Sequence, residues 1–234
     1  MRIAMWSGPR NLSTAMMYAF AARDDFAVWD EPFYAAYLKH SGLDHPMRDE
    51  IIAAHETDPH VVARAISGSI PQEKPHFYMK HMPLHMLDGF PLDWAKDCVN
   101  VHLIRHPARV IASYAAKREQ PTLDDIGFRQ QVEFYETLPG PVIDSFDIRQ
   151  NPEAALRKLC EAIDLPWDPA MLRWEAGPKS FDGVWAAHWY GAVHRSTGFA
   201  EAEGDLPKLE PDMAALCVQA MPFYDALRRH CLRL

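Results

Sequence analysis

Residues 3–22, IAMWSGPRNLSTAMMYAFAA, decide how the rest of the chain is read. Ile3 to Trp6 is a short apolar run that fits a buried strand. Ser7-Gly8-Pro9-Arg10-Asn11 cannot extend it, because Gly and Pro punctuate regular structure. From Leu12 the apolar residues recur at helical spacing: Leu12, Ala15, Met16, Ala19 and Phe20. The stretch therefore predicts strand, tight loop and helix. Such a loop points backbone N–H groups at the helix N-terminus, where the dipole favours an anion. Arg10, Asn11, Ser13 and Thr14 add side-chain donors at the same place. These residues suit a phosphate or sulfate cradle; an ordinary strand–helix turn with a Ser or Asn cap is the competing reading.

Working outward, Phe26 to Trp29 reads as a second strand that runs into Asp30-Glu31-Pro32-Phe33-Tyr34. Glu31 thus sits at a strand's C-terminal end, the edge where open parallel sheets bind ligands. Pro32 suits the first position of the next helix. The excursion at about 33–70, with helices over Asp49–His55 and Val61–Ile70, reads as a helical cap over the site. His76 to Met79 is the third strand, followed by Lys80-His81-Met82-Pro83. Val99 to Ile104 is the fourth; it ends in Arg105-His106-Pro107, and a helix follows from about Ala108 to Arg118. Thr122 to Leu138 reads as one helix, and Val142-Ile143 opens a fifth strand. Pro152 to Ile163 is an amphipathic helix with Leu156, Leu159, Cys160 and Ile163 on one face. Residues 177–204 are irregular and aromatic, a length of loop that usually carries function. Pro211 to Leu232 closes the chain as a helix. Strands alternating with helices predict a single α/β domain over 1–234, three-layered, with a mostly parallel sheet and helices on both faces. Arg10, Glu31, Lys80 with His81, and Arg105 then fall at strand ends along one sheet edge.

The chain has 234 residues and a formal net charge of −8, which argues against a general nucleic-acid binder or a basic membrane-surface protein. An anionic ligand would need a local basic pocket. The apolar fraction of 48% and charged fraction of 24% are those of an ordinary globular protein, and no run reaches the length of a membrane span. The first apolar run is cut short by Ser-Gly-Pro-Arg and does not read as a signal peptide. Cys98, Cys160, Cys217 and Cys231 are far apart and form no CxxC pair, so they read as reduced thiols of a cytoplasmic protein. His76, His81 and His85 lie close in sequence without a carboxylate or cysteine at a zinc spacing, so no metal is expected.

Two segments carry a resemblance to a known family. Arg105-His106-Pro107-Ala108-Arg109-Val110-Ile111-Ala112-Ser113 resembles the 3′-phosphate-binding segment of sulfotransferases that use 3′-phosphoadenosine 5′-phosphosulfate (PAPS), including the eight-residue step from Arg to Ser. Gly8-Pro9-Arg10-Asn11-Leu12-Ser13-Thr14 resembles that family's 5′-phosphosulfate loop. Asp144 to Leu165 resembles its C-terminal portion, and small bacterial members with Asp-Glu-Pro-Phe after the second strand are the nearest in pattern. The resemblance implies a P-loop NTPase-like sulfotransferase fold, PAPS as co-substrate with 3′,5′-adenosine bisphosphate (PAP) as product, and a small-molecule or carbohydrate acceptor. It implies that Arg105 and Ser113 hold the 3′-phosphate through charge-assisted bonds and that Arg10 with the first-loop amides holds the phosphosulfate. The family's late loop over that phosphate has its counterpart in Arg195-Ser196-Thr197-Gly198. Where the family often has Lys, this chain has Arg10, a planar fork in place of a point charge.

The resemblance also supplies candidates for the base that takes the acceptor's proton. Glu31 is one, and His81 is the other, with Lys80 placed to stabilise charge on the moving group. Tyr34, Tyr37 and the run Trp185 to Tyr190 are candidates for the acceptor pocket. A P-loop phosphotransferase is a second reading, and a non-catalytic nucleotide-binding protein a third. Against the second, Gly8 is followed five residues later by Ser13, with neither the second Gly nor the Lys of a Walker A loop. The fourth strand ends in Arg105 rather than in an Asp that would help hold Mg²⁺.

Overall fold

The computed structural model describes residues 1–116 and 121–234. Strands β1 (Arg2–Ser7), β2 (Phe26–Asp30), β3 (His76–His81), β4 (Val99–Ile104) and β5 (Val142–Asp144) form one sheet in the order β2-β3-β1-β4-β5. Every pairing is parallel, so each connection must cross over, and helices supply the crossovers. Helix α1 (Ser13–Ala21) follows β1, while α2 (Tyr34–Ser41), α3 (Arg48–Ala54) and α4 (Pro59–Ser67) occupy the long connection from β2 to β3. Helices α5 (Pro107–Ala115), α6 (Leu123–Ile126) and α7 (Phe128–Thr137) lead from β4 to β5. Then come α8 (Ser145–Gln150), α9 (Pro152–Ala162), the short α10 (Ala186–Trp189) and α11 (Gly191–His194), and the closing α12 (Pro211–Arg228). The predicted α/β architecture with a parallel sheet is the one observed. Among the described residues no helix is long and apolar enough to cross a membrane.

β1 lies between β3 and β4 and is buried on both faces, which is why it reads as a continuous apolar run. Its side chains alternate between two cores. Ile3 and Met5 pack with α1 and α9, through residues such as Met16, Phe20, Leu156 and Leu159. Ala4 and Trp6 face the other layer, with Val62 and Ile66 of α4 and with Trp94. A third cluster joins Ile104 and Val142 to α5 and α12. The same alternation runs through β3, where Tyr78 belongs to the α1 side and Phe77 and Met79 to the Trp6 side. Continued two residues further, it puts Lys80 and His81 on opposite faces of the sheet.

Several boundaries differ from the sequence expectation, each for a local reason. β3 does not stop at Met79, because Lys80 and His81 still pair with Met5 and Trp6 of β1. Pro32 does not start α2: Tyr34 N–H bonds back to the Glu31 carbonyl (3.0 Å), and this turn comes before the helix. α4 begins earlier than expected, at Pro59, capped by the Asp58 carboxylate on the amides of His60 and Val61. The expected helix 122–138 is broken into α6 and α7 by Gly127, whose φ of 70° lies in the left-handed region. α5 ends at Ala115, and the expected end at Arg118 lies outside the described residues. The excursion at 33–70 is divided between two places. Tyr34 and His45 line the cavity at the sheet edge, whereas α4 packs on the far face beside Ala4 and Phe77.

Candidate active site

A cavity of about 300 Å³ opens at the C-terminal edge of the sheet, bounded by the β1–α1 loop, Glu31, Lys80 and Arg105. The loop is positioned from below. A Cβ on Gly8 would lie 2.9 Å from the carbonyl oxygen of Ile126, so only glycine fits there. Its N–H donates to Gln131 Oε1 (3.3 Å), and Gln131 Nε2 donates to the carbonyls of Trp6 (3.2 Å) and Leu103 (2.9 Å). Gly8 thus supports the loop from outside the cavity, while Pro9 to Thr14 form its wall. Arg10 and Leu12 have φ of 63° and 75°, in the left-handed region that costs non-glycine residues about 1–2 kcal/mol each. Such strain persists only where neighbours over-determine it. Here Asn11 Nδ2 donates to the Leu103 carbonyl (3.2 Å) and Arg105 Nη1 donates to the Arg10 carbonyl (2.8 Å).

With Leu12 in this conformation, α1 begins without a side-chain cap and without an acidic residue in its first turn. The Ser or Asn cap of the competing reading is absent. The first helical bond is Met16 N–H to the Leu12 carbonyl (3.1 Å), so the preceding amides have no helical partner. Ser13, Thr14 and Ala15 line the cavity. Arg10 and Arg105 stand beside them, with Arg10 Nε donating to Ser113 Oγ (2.9 Å). Burial, and then the charge of Arg105, holds the Arg10 guanidinium below its ordinary pKa. An anion placed here would offset the repulsion and compensate the lost solvation.

Arg105 already faces an anion. Its Nη2 bonds the Glu203 carboxylate, which also accepts from Arg149 Nη1 (2.8 Å) and forms an ion pair, without a hydrogen bond, with Arg109 Nε (3.1 Å). Sequence reasoning missed Arg149 and Glu203, which lie far from Arg105 in the chain; Arg109, one helical turn beyond Arg105, had a spacing signal. In the late loop, Ser196 and Gly198 line the cavity, whereas Arg195 and Thr197 are exposed and do not. Ser196 Oγ is committed to the Val193 carbonyl (2.7 Å) and to Trp174 Nε1 (3.1 Å). Asp182 ties this loop to α1, accepting from Tyr18 (2.7 Å) and contacting His194 (3.0 Å).

On the opposite wall, Lys80 Nζ donates to Asp30 Oδ1 (3.0 Å), Glu31 Oε1 (2.5 Å) and the Tyr190 hydroxyl (2.5 Å). An ammonium has three donors, and all are used. Tyr190 in turn donates to Asp30 (2.7 Å) and accepts from Trp185 Nε1 (3.0 Å). The parallel register pairs Asp30 with Lys80, and Glu31 follows with φ of 39°, turned out of the strand. Burial raises the Glu31 carboxyl pKa, against the pull of Lys80, which makes it a stronger base than an exposed carboxylate. Burial opposes the charge on Lys80, but Asp30 and Glu31 together hold its pKa above the usual range.

His81 does not reach the cavity. Its ring packs in the core against Trp6 and Trp94, 4.8 Å from each, and burial pulls its pKa down to about 3. The sheet places the two candidate bases on different sides: Glu31 lines the cavity and His81 does not. His85, weighed in the sequence only as a metal candidate, does line it. His85 lies flat on Tyr34 (ring centroids 4.4 Å apart), with Nδ1 3.7 Å from Glu31 Oε2. Burial, then His45, Lys80 and His81, keep it neutral. Of the candidate aromatics, Tyr34, Trp185, Trp189 and Tyr190 line the cavity; Tyr37 stacks on His85 from outside it.

The five-stranded parallel sheet with helices around it places the protein in the α/β class, with a fold like that of P-loop-like sulfotransferases. Within that class the chain belongs to the sulfotransferase domain family, whose model matches residues 1–231. The fold is shared with the sulfotransferase domain from the curacin biosynthetic pathway (TM-score 0.55, 15% identity, 94% of this chain and 96% of that one). It is shared also with a sulfotransferase from Alicyclobacillus acidocaldarius (TM-score 0.56, 12% identity, 98% of this chain and 96% of that one). Among curated proteins, branched-chain-amino-acid aminotransferase-like protein 2 of Arabidopsis thaliana is 38% identical over 234 residues, covering 97% of this chain and 41% of its own length. Protein 1 of the same name and organism is 38% identical over 237 residues, covering 97% and 42%. The chain spans about two fifths of the length of these curated relatives.

Proposed function

We propose that the protein transfers a sulfuryl group from PAPS to a hydroxyl or amine of a small-molecule or carbohydrate acceptor. The observation that carries this reading is the position of Glu31. It is a buried carboxylate on the wall of one cavity, between a cationic loop with uncapped helix amides and an aromatic lining. The donor set fits an anion of this kind: Arg10, Arg105, the Ser113 hydroxyl and the first amides of α1 are all donors, and no acidic residue sits in the first turn of α1. PAPS supplies an activated sulfuryl group on a phosphate leaving group. The side chains would neutralise charge on the phosphosulfate through Arg10 and the α1 amides, and hold the 3′-phosphate through Arg105 and Ser113. Positioning and electrostatics then carry most of the rate, as in phosphoryl transfer.

Glu31 takes the acceptor's proton as the new bond to sulfur forms and the bond from sulfur to the phosphate oxygen breaks. Lys80, with every donor engaged, positions Glu31 rather than reaching the sulfuryl group itself. Thermal-shift measurements with PAP, with ATP and Mg²⁺, and with AMP test the nucleotide, because a ligand that binds only the folded state raises its stability. Selective stabilisation by PAP without Mg²⁺ supports the proposal, and selective stabilisation by ATP with Mg²⁺ would favour a phosphotransferase. Transfer of labelled sulfate to an acceptor library separates an enzyme from a non-catalytic binding protein.

A further inference from the structure

Segment 200–210 has no regular secondary structure, and Glu203 is its one buried residue. That side chain is only 2% exposed. Three guanidinium groups converge on it, from β4's end (Arg105), from α5 (Arg109) and from α8 (Arg149). The same arginines supply further ties to the segment: Arg149 Nε donates to the Glu201 carbonyl (2.8 Å) and Arg109 Nη2 to the Gly204 carbonyl. Apolar packing is confined to its C-terminal end, where Leu209 rests on the α5–α12 cluster, while Leu206 is 50% exposed. Hence the segment is fastened to the arginines by one carboxylate and two backbone oxygens.

The cluster is open to the cavity from its other side. Arg105, Arg149 and Ala200 line the cavity wall, and Glu203 does not. Among the described residues, Arg105 Nε is buried without a hydrogen-bond partner, so the present occupant leaves a donor of the cluster unused. A carboxylate brings one negative charge and two oxygens. A phosphate monoester dianion brings nearly two charges and three strong acceptor oxygens, which suit several guanidinium forks better. We propose that Glu203 is a specificity-determining residue, an internal occupant of the Arg105–Arg109–Arg149 cluster that a nucleotide's phosphate dianion must displace. Segment 200–210 is then released by nucleotides that carry this phosphate and stays fastened for those that lack it.

This inference rests on the PAPS reading, in which Arg105 meets a 3′-phosphate. Its test uses the whole chain, with PAP and AMP as probes, in two measurements. Calorimetry on the unaltered protein and on Glu203→Gln should show PAP bound about tenfold more tightly or better by the variant, since a charge-assisted competitor has been removed. AMP affinity should stay the same in both. Hydrogen exchange on the unaltered protein should show residues 200–210 exchanging faster with PAP and unchanged with AMP. If the unaltered protein prefers PAP over AMP, yet the variant binds PAP no better and exchange at 200–210 does not rise, Glu203 is a fixed structural partner and the proposal is overturned alone. If neither protein distinguishes PAP from AMP, the nucleotide reading falls and the proposal with it. Should Glu203→Gln fail to fold, the exchange measurement on the unaltered protein decides.

Discussion

Asp30 and Lys80 are cross-strand partners at the last paired position of β2 and β3, with Oδ1 and Nζ 3.0 Å apart and both side chains 1% exposed. The pair and Glu31 form a network in which one ammonium balances two nearly buried carboxylates. Removing one member of such a group leaves a buried charge uncompensated, which is costlier than never having built it.

Lys80→Met should therefore lower unfolding stability by about 3–5 kcal/mol, read from urea denaturation. Adding Asp30→Asn to Lys80→Met should recover part of the loss, because one of the two stranded carboxylates is removed as well. A double variant no more stable than Lys80→Met would mean that packing, not charge, holds this corner.

Glu31→Gln keeps shape and removes basicity. With an acceptor in hand, kcat should fall about 10²–10⁴-fold while PAP affinity stays unchanged, because the interaction matters most at the transition state. His81→Phe, which keeps a ring between Trp6 and Trp94, should retain transfer. Loss of turnover in His81→Phe with Glu31→Gln still active would reverse the assignment of the base.

His81 also makes a prediction about acid stability. Burial lowers its pKa in the folded protein from 6.5 to about 3, so the unfolded chain takes up a proton that the native side chain refuses. The stability it contributes is fully present above pH 6.5 and is lost as pH falls toward the folded value. His81→Phe should flatten the acid limb by about 1.4 kcal/mol per pH unit below the unfolded pKa. Urea midpoints measured across that range check this; parallel curves for the two proteins would contradict a buried neutral histidine.

Arg105→Ala should weaken PAP more than AMP, because AMP lacks the 3′-phosphate. Losing a hydrogen bond to a charged group costs about 1.5–3 kcal/mol, or one to two decades in affinity. Equal weakening of both ligands in calorimetry would remove Arg105 from the 3′-phosphate.

Gly8→Ala tests the support beneath the loop. Its Cβ would press on the Ile126 carbonyl oxygen at 2.9 Å, backbone that cannot swing aside. The variant should lose about 1–3 kcal/mol of stability, and nucleotide affinity should fall with it as Pro9 and Arg10 shift. An unchanged melting temperature would show that the loop floats free of α6 and α7.

The sequence by itself determined the strand–loop–helix unit at residues 3–22, the alternation of strands and helices, and the strand-end positions of Arg10, Glu31 and Arg105. All are local matters: apolar period, Gly and Pro punctuation, and the direction of the chain at a strand's end. The separation of Lys80 from His81 was within reach, since period two parts them once β3 is known to pass Met79. What hid it was the polarity of both residues, which reads as loop until pairing with Met5 and Trp6 is seen. Only the tertiary structure decided that Asp30 lies opposite Lys80, that His85 comes beside Glu31, and that Glu203 closes on Arg105, Arg109 and Arg149. Those contacts join residues tens of positions apart, through strand register and loop closure. No local spacing encodes them, and the chain must be folded before a carboxylate can find a guanidinium 98 residues away.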